Sequence, residues 1–299
     1  MLCCAGCGEV EVDDIKLKKC TACKSVRYCS VTCQKDHRPK HKRACKKRAA
    51  ELRDEILFQQ PESNHYGDCP ICCLPLSIDP NRSIMTDCCC KLICRGCAYA
   101  DQMREVNGRL NSTCPFCRHP VAKTDEETKK NIMKRVEVND PVAMREKGKQ
   151  HCSEGDSSSA FEYLTKAAGL GDAAAHYQLS LMYDQGCGVE KDEKKEMYHL
   201  EEAAIGGDPS ARNNLGCVEV YNGRHERAAK HWIIAANLGH DRSLESLRKL
   251  YTKGFVSKED FATALRAHQA AVDATKSPQR EAAEAAYRNL DLDWKKMKK

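Results

Sequence analysis

Residues 4–45 read CAGCGEVEVDDIKLKKCTACKSVRYCSVTCQKDHRPKHKRAC, and their cysteine spacing decides what this end of the chain is. Four pairs stand out: Cys4-x-x-Cys7, Cys20-x-x-Cys23, Cys29-x-x-x-Cys33 and His41-x-x-x-Cys45. Together they offer seven sulfurs and one imidazole, the donor complement of two closed tetrahedral metal sites. A C-x-x-C pair on a tight turn presents both thiolates to one ion. Cys29/Cys33 and His41/Cys45 stand four apart, which shares one face of a helical turn. The stretch therefore predicts two knuckles and two short helices. Cys3 lies beside Cys4, but only Cys4 gives the two-residue knuckle spacing.

Moving outward, the chain has 299 residues and 21 cysteines, enough length for two or three domains. Only Cys152, Cys187 and Cys217 lie beyond Cys117, so the front is a separate class of structure. Dense cysteine means disulfides or metal. Disulfides need an oxidising compartment, and MLCCAGCGEVEVDD has neither a basic start nor the apolar run of a signal peptide. No stretch approaches the roughly 20 apolar residues of a membrane span, and Leu2 excludes N-myristoylation. The expectation is a cytoplasmic or nuclear protein, off the membrane, whose clustered thiols bind zinc. The net charge of +6 is concentrated in RPKHKRACKKR, residues 38–48. That run suggests nucleic-acid contact, but a solvated helix face beside anionic zinc–thiolate centres is the favoured reading.

The 4–45 arrangement resembles the MYND zinc finger, including the words YCSVTCQ at 28–34 and HKRAC at 41–45. The resemblance implies interleaved sites, with Cys4, Cys7, Cys29 and Cys33 on one zinc and Cys20, Cys23, His41 and Cys45 on the other. His41 has the family's ligand position, which leaves His37 as a surface histidine. Members of the family bind proline-containing peptides, and Gln34 lies where the family often places a groove residue. The usual tryptophan three positions before the ligand histidine is Arg38 here. No SET-like sequence follows, so methyl transfer is not expected.

Residues 46–60 read as a helix with Leu52, Ile56 and Leu57 on one side, and 61–68 as a linker. Next come Cys69-x-x-Cys72, DCCCKLIC at 87–94, Cys97 and Cys114-x-x-Cys117. This order resembles an all-cysteine RING finger. It implies Cys69, Cys72, Cys94 and Cys97 on one zinc, and Cys114 and Cys117 on another with two of Cys88, Cys89 and Cys90. Cys88 with Cys90 gives an ordinary one-residue gap, and Cys88 with Cys89 an arrangement known in some all-cysteine RINGs; the second is preferred, with Cys90 a nearby free thiol. A structural zinc site contributes about 10–16 kcal/mol in peptide hosts, so metal is expected to decide whether the module folds. Sulfur-closed sites of this kind are structural, and no catalytic residue is assigned. By resemblance, Ile71 and Pro115 would contact a ubiquitin-conjugating enzyme, and Arg118 would brace its ubiquitin.

Thr124 with Glu127 makes a capping box, opening a helix to about Val138, and Asn139-Asp140-Pro141 starts another. Self-similarity follows. KAAGLGDAAA (166–175), EAAIGGDPSA (202–211) and IAANLGHDRS (234–243) align, with a weaker fourth copy at Ala270-Ala271. Gly155, Gly186, Gly223 and Gly254 punctuate them. A period near 36 residues with two helices per unit indicates an α-solenoid, and it resembles the Sel-1-like repeat, a relative of the tetratricopeptide repeat. Its concave wall is expected to bind protein. His176, His199, His231 and His268 read as groove or surface residues, residues 277–290 as a capping helix, and DWKKMKK as a basic tail.

The expected fold is therefore two small zinc modules, MYND (1–48) and RING (69–118), joined by a helix and linker (49–68). A helical linker (119–140) leads to the all-α solenoid (141–299). Four structural zinc ions are expected. The leading function is a RING-type ubiquitin ligase that recruits substrate proteins through the MYND finger and repeats. The alternative is a non-enzymatic interaction adaptor or transcriptional cofactor, with nucleic-acid binding through 38–48 a weaker third.

Overall fold

The computed structural model describes residues 2–12 and 16–297, with side chains described as far as Arg288. The chain divides into two compact units, one ending at Gln59 and one from Gln60 onward.

The first unit is a hairpin and a long helix. Strands β1 (Lys18–Lys19) and β2 (Arg27–Tyr28) pair antiparallel, with Lys18 opposite Tyr28. Helix α1 (Val31–Leu57) follows, capped by Ser30, whose Oγ accepts from the Cys33 N–H at 3.1 Å. The two short helices and the separate 46–60 helix expected from sequence are this single helix of 27 residues. Cys29 lies before its cap, outside the helix. Pro39 sits inside it, where a missing N–H and ring clash would ordinarily break the rod. Ligand candidates on both sides of Pro39, Cys33 before and His41 and Cys45 after, give a physical reason for the helix to run through. Of the predicted apolar side, Leu57 is buried and Ile56 exposed. The core is Cys4, Leu17, Cys20, Cys23 and Tyr28, mostly sulfur rather than hydrocarbon.

The second unit opens with a short strand pair, β3 (Ser83–Met85) and β4 (Leu92–Cys94), in register Ile84 to Ile93. Helix α2 (Arg95–Gly108) follows directly, with the Cys94 sulfur accepting from the Cys97 N–H at 3.4 Å. Leu76 and Ile93 pack with Cys69, Cys94 and Cys97 to form the core.

Beyond it the chain is helical. Helix α3 (Asp125–Glu137) carries the expected cap, Glu127 N–H to Thr124 Oγ1 at 3.2 Å. Four hairpins then stack: α4 (Pro141–Ser153) with α5 (Ser157–Gly169), α6 (Ala173–Gln185) with α7 (Glu193–Ile205), α8 (Pro209–Tyr221) with α9 (His225–Asn237), and α10 (Asp241–Thr252) with α11 (Lys258–Ala274). Gly155, Gly186, Gly223 and Gly254 all adopt positive φ at the turns, where a left-handed residue satisfies the last carbonyls. The first helix of each hairpin starts on a repeated cap, Asp140, Asp172, Asp208 and then His240, each accepting from the following turn's N–H groups.

The alanine pairs end α5, α7 and α9, and there they are buried, which lets neighbouring helices approach closely. In the fourth copy Ala270 is exposed and Ala271 half-buried. Helix α12 (Pro278–Met297) packs on α2 of the zinc module. The capping helix read from sequence thus ties the end of the array to the front of the same unit. The side chains of the basic tail at 293–299 lie outside the described residues. Among the described residues no helix is long and apolar enough to cross a membrane.

Candidate metal centres

In the first unit the structure brings together Cys4, Cys7, Cys29 and Cys33, and separately Cys20, Cys23, His41 and Cys45. In the second it brings together Cys69, Cys72, Cys94 and Cys97, and separately Cys88, Cys89, Cys114 and Cys117. Within each quartet the donor atoms all lie within 4.8 Å of one another. In both modules the first and third pairs share one site and the second and fourth the other, so each chain segment is braced across its neighbour. Cys90 joins neither quartet; it is buried, and burial foremost pushes its thiol up to about 12.

The geometry discriminates between metal and disulfide. Two sulfurs bound to one tetrahedral zinc at about 2.3 Å sit about 3.8 Å apart, whereas a disulfide requires about 2.05 Å. The separations are 3.5 Å for Cys7–Cys29, 3.6 Å for Cys29–Cys33, 3.7 Å for Cys20–Cys45, 3.8 Å for Cys72–Cys94 and 3.9 Å for Cys89–Cys114. Cys23 Sγ lies 3.2 Å from His41 Nε2 and Cys88 Sγ 3.4 Å from Cys117 Sγ. All the cysteines are free.

Electrostatics make the same demand. In the first quartet Cys4 sits at about 6: burial raises it, but the N–H groups of Cys7, Cys29 and Gly6 outweigh that. Its neighbour Cys29 is pushed up to about 12, first by Cys7, then by Cys33 and Cys4. Cys45 rises to about 11, by burial and then by Cys20 and Cys23. In the second module burial, followed by neighbouring sulfurs, drives Cys88 and Cys97 far up. Thiolates this crowded repel one another, and a divalent cation removes the conflict. These donor sets fit zinc, and the protein holds four structural zinc ions. Each site is complete with four protein donors, the pattern of a structural centre rather than a catalytic one with an open position.

The backbone around the sites repeats one device. The residue after each paired knuckle, Gly8, Lys24, Cys73, Cys90 and Arg118, has positive φ. Each donates its N–H four residues back, to Cys4, Cys20, Cys69, Thr86 and Cys114 respectively. The turn that presents two sulfurs to one ion closes through a left-handed residue. Glycine fills that position once only, so the metal turn imposes the conformation on side chains that ordinarily avoid it.

Several neighbours went unread in the sequence. His37 is not a simple surface residue. Its Nδ1 lies 3.1 Å from the Tyr28 hydroxyl, and its ring stacks on His41 at 5.6 Å with 13° between planes. Asn131 on α3 donates to Asp87 at 2.6 Å, steadying the loop that carries Cys88 and Cys89. Arg280 on α12 is the largest omission. Its Nη2 donates to Cys72 Sγ at 3.3 Å and to the Leu74 carbonyl at 3.0 Å; its Nη1 donates to the Pro75 carbonyl at 2.6 Å and the Thr275 carbonyl at 2.9 Å. A guanidinium against a zinc-bound thiolate offsets the site's negative charge and fixes the knuckle. No local pattern announces it, because its partner is 208 positions away.

The sequence-predicted contact residues have mixed settings. Ile71 is exposed and Pro115 half-buried. Arg118 is exposed but paired with Asp101 at 3.0 Å. Gln34 is half-buried on the first turn of α1. Of the four histidines, His176 and His199 touch at 2.9 Å, His268 pairs with Asp241 at 2.9 Å, and His231 is fully buried, against the expectation of a groove or surface position.

Comparison with known proteins bears on the front of the chain. Residues 4–45 match the family model of the MYND finger. Among solved structures the chain is similar to a Sel1 repeat protein from Oxalobacter formigenes, at 25% identity and a TM-score of 0.37, covering 40% of this chain and 96% of that one. No curated protein matches.

Proposed function

We propose that the chain is a zinc-dependent protein-recruiting factor whose second module acts as a RING-type ubiquitin-protein ligase. In this reading the MYND finger and the helical repeats select the target, proline-containing peptides among them, and the surface around Ile71 and Pro115 holds a charged conjugating enzyme. The observation that carries it is the interleaved pair of four-sulfur centres in residues 69–118, which leaves Ile71, between the first two ligands, 40% exposed. Such a module does no chemistry at its metal. It positions another enzyme's thioester, and its contribution is orientation.

The adaptor reading has an observation of its own. Arg118 is held by Asp101, so bracing ubiquitin requires that ion pair to open. Autoubiquitination with a panel of conjugating enzymes separates the two. A ligase gives ubiquitin chains that vanish with Ile71→Ala and weaken with Arg118→Ala. A folded, zinc-loaded chain that stays silent across the panel is the adaptor.

A further inference from the structure

The last copy of the repeat opens a cleft of about 900 Å³ inside the second unit, between α11 and residues 62–82. Its floor is small and apolar: Ala267, Ala270, Ala271 and Ala274 on one side, Leu76 and Ile78 on the other. In the three preceding copies the corresponding alanines are covered by the next helix, but α12 packs on α2 instead. The alanine surface that elsewhere receives a helix here lines open space.

The walls are acidic. Glu62, Asp68, Asp79 and Asp241 line the cleft, against one guanidinium, Arg82. Arg82 is already engaged, 3.6 Å from Asp79 and 3.3 Å from Glu284. Asp241 is paired with His268 at 2.9 Å. Among the described residues Glu62 and Asp68 have no cationic partner. The cleft therefore combines an unfilled apolar floor with two uncompensated carboxylates on its rim, and Asn64, Ser77, Asn237 and Gln269 supply hydrogen-bonding groups along it.

We propose that this cleft binds an extended peptide segment bearing lysine or arginine, with the aliphatic stems of those side chains over the alanine floor and their cationic ends at Glu62 and Asp68. Long basic side chains suit such a surface, because their methylenes cover apolar area while the charge stays near water. Charge complementarity selects the occupant. The inference is independent of the ligase reading: the cleft serves a ligase or an adaptor equally as a place to recruit a partner.

The test uses the zinc-loaded full chain and two fluorescent peptides, a Lys-Ala repeat and a Glu-Ala repeat of equal length, followed by anisotropy. The basic peptide binds, more weakly as salt rises, and the acidic one does not. Glu62→Gln combined with Asp68→Asn weakens the basic peptide about tenfold, as expected for two partly desolvated charge pairs. Ala274→Lys, at an exposed position on the floor, weakens it by a similar factor and decides the matter if the double variant misfolds. Glu126→Gln on α3, outside the cleft, leaves affinity unchanged. The proposal is overturned if a folded chain ignores the basic peptide, if both cleft variants bind it as the parent does, or if the acidic or an uncharged Leu-Ala peptide binds equally well.

Discussion

The two zinc modules solve the same problem with the same braid of ligand pairs, but they are built into the molecule differently. The first forms a unit with its own helix, and the residues that steady its ligands, Tyr28 and His37, lie within 9 positions of each other. The second belongs to the unit that contains the whole repeat array. It is tied there by Arg280 from α12, by Gln279 donating to the Gly96 carbonyl at 3.1 Å, by Tyr99 against Tyr287, and by the His65 N–H donating to the Gly207 carbonyl at 3.1 Å. Metal loss in the first module should be a local event, and in the second a global one.

The largest expected effect comes from removing a ligand on each side of that contrast. Cys4→Ser lowers the bound zinc and unravels the first unit, while amides in α8 to α11 keep their hydrogen-exchange protection. Cys69→Ser lowers the zinc too, but it also lowers the melting temperature of the repeats and the protection of α12. A structural zinc site is worth about 10 kcal/mol or more in peptide hosts, so native mass spectrometry with exchange mapping resolves either outcome easily. Equal behaviour of the repeats in both variants would break the comparison.

Next in size is Arg280→Ala. It removes four charge-assisted donations, one of them to a zinc-site sulfur. The site is only partly buried, so the expected loss is about 3 kcal/mol rather than the full sum. Arg280→Lys should recover little of it, since an ammonium cannot reproduce the planar fork. Chemical denaturation of the second unit checks both, with zinc stoichiometry staying at four in each variant.

How much of this was legible before the structure depends on range. Ligand pairs, caps and repeat glycines are encoded within a few residues of one another, so spacing revealed them. The spacing of Cys29 and Cys33 suggests one helical face, yet the N-cap at Ser30 separates them, and the two ligand pairs that suggest two short helices are joined by one continuous helix. Residues 61–68 carry the composition of a linker, yet His65 is buried against Asp208, at 3.9 Å. Arg280 and the cleft over α11 arise only when elements hundreds of residues apart are folded together. Local signals are blind to that, and the functional surfaces of the second unit are of this kind.

Acid sharpens the comparison in a third way. His65, His176, His199 and His240 all belong to the second unit, and burial foremost holds each below its ordinary value, His199 at about 4. A histidine depressed in the fold stays neutral there while the unfolded chain protonates. The stability it supports is complete above about pH 6.5 and is lost as pH falls from there toward the folded value. The second unit should lose melting temperature between about pH 6.5 and 5, on the order of a few degrees. His199→Gln should flatten part of that slope. A melting temperature constant across the window would mean that these rings are hydrated.

The smallest effect belongs to the first module and separates holding a metal from orienting its ligand. His37 donates nothing to either quartet, yet it lies stacked on the ligand His41 and against Tyr28. His37→Ala should keep all four zinc ions while costing about 1 kcal/mol, the usual worth of one ring contact beyond its burial. It should also speed zinc release to a chelator from the first module, because an imidazole free to tilt is a poorer ligand. The matching substitution at the second module, Arg280→Ala, acts from a distant helix and should move the repeats as well. If His37→Ala changes neither the release rate nor the melting of the first unit, the ring is packing material, and the local self-sufficiency of that module rests on its sulfurs alone.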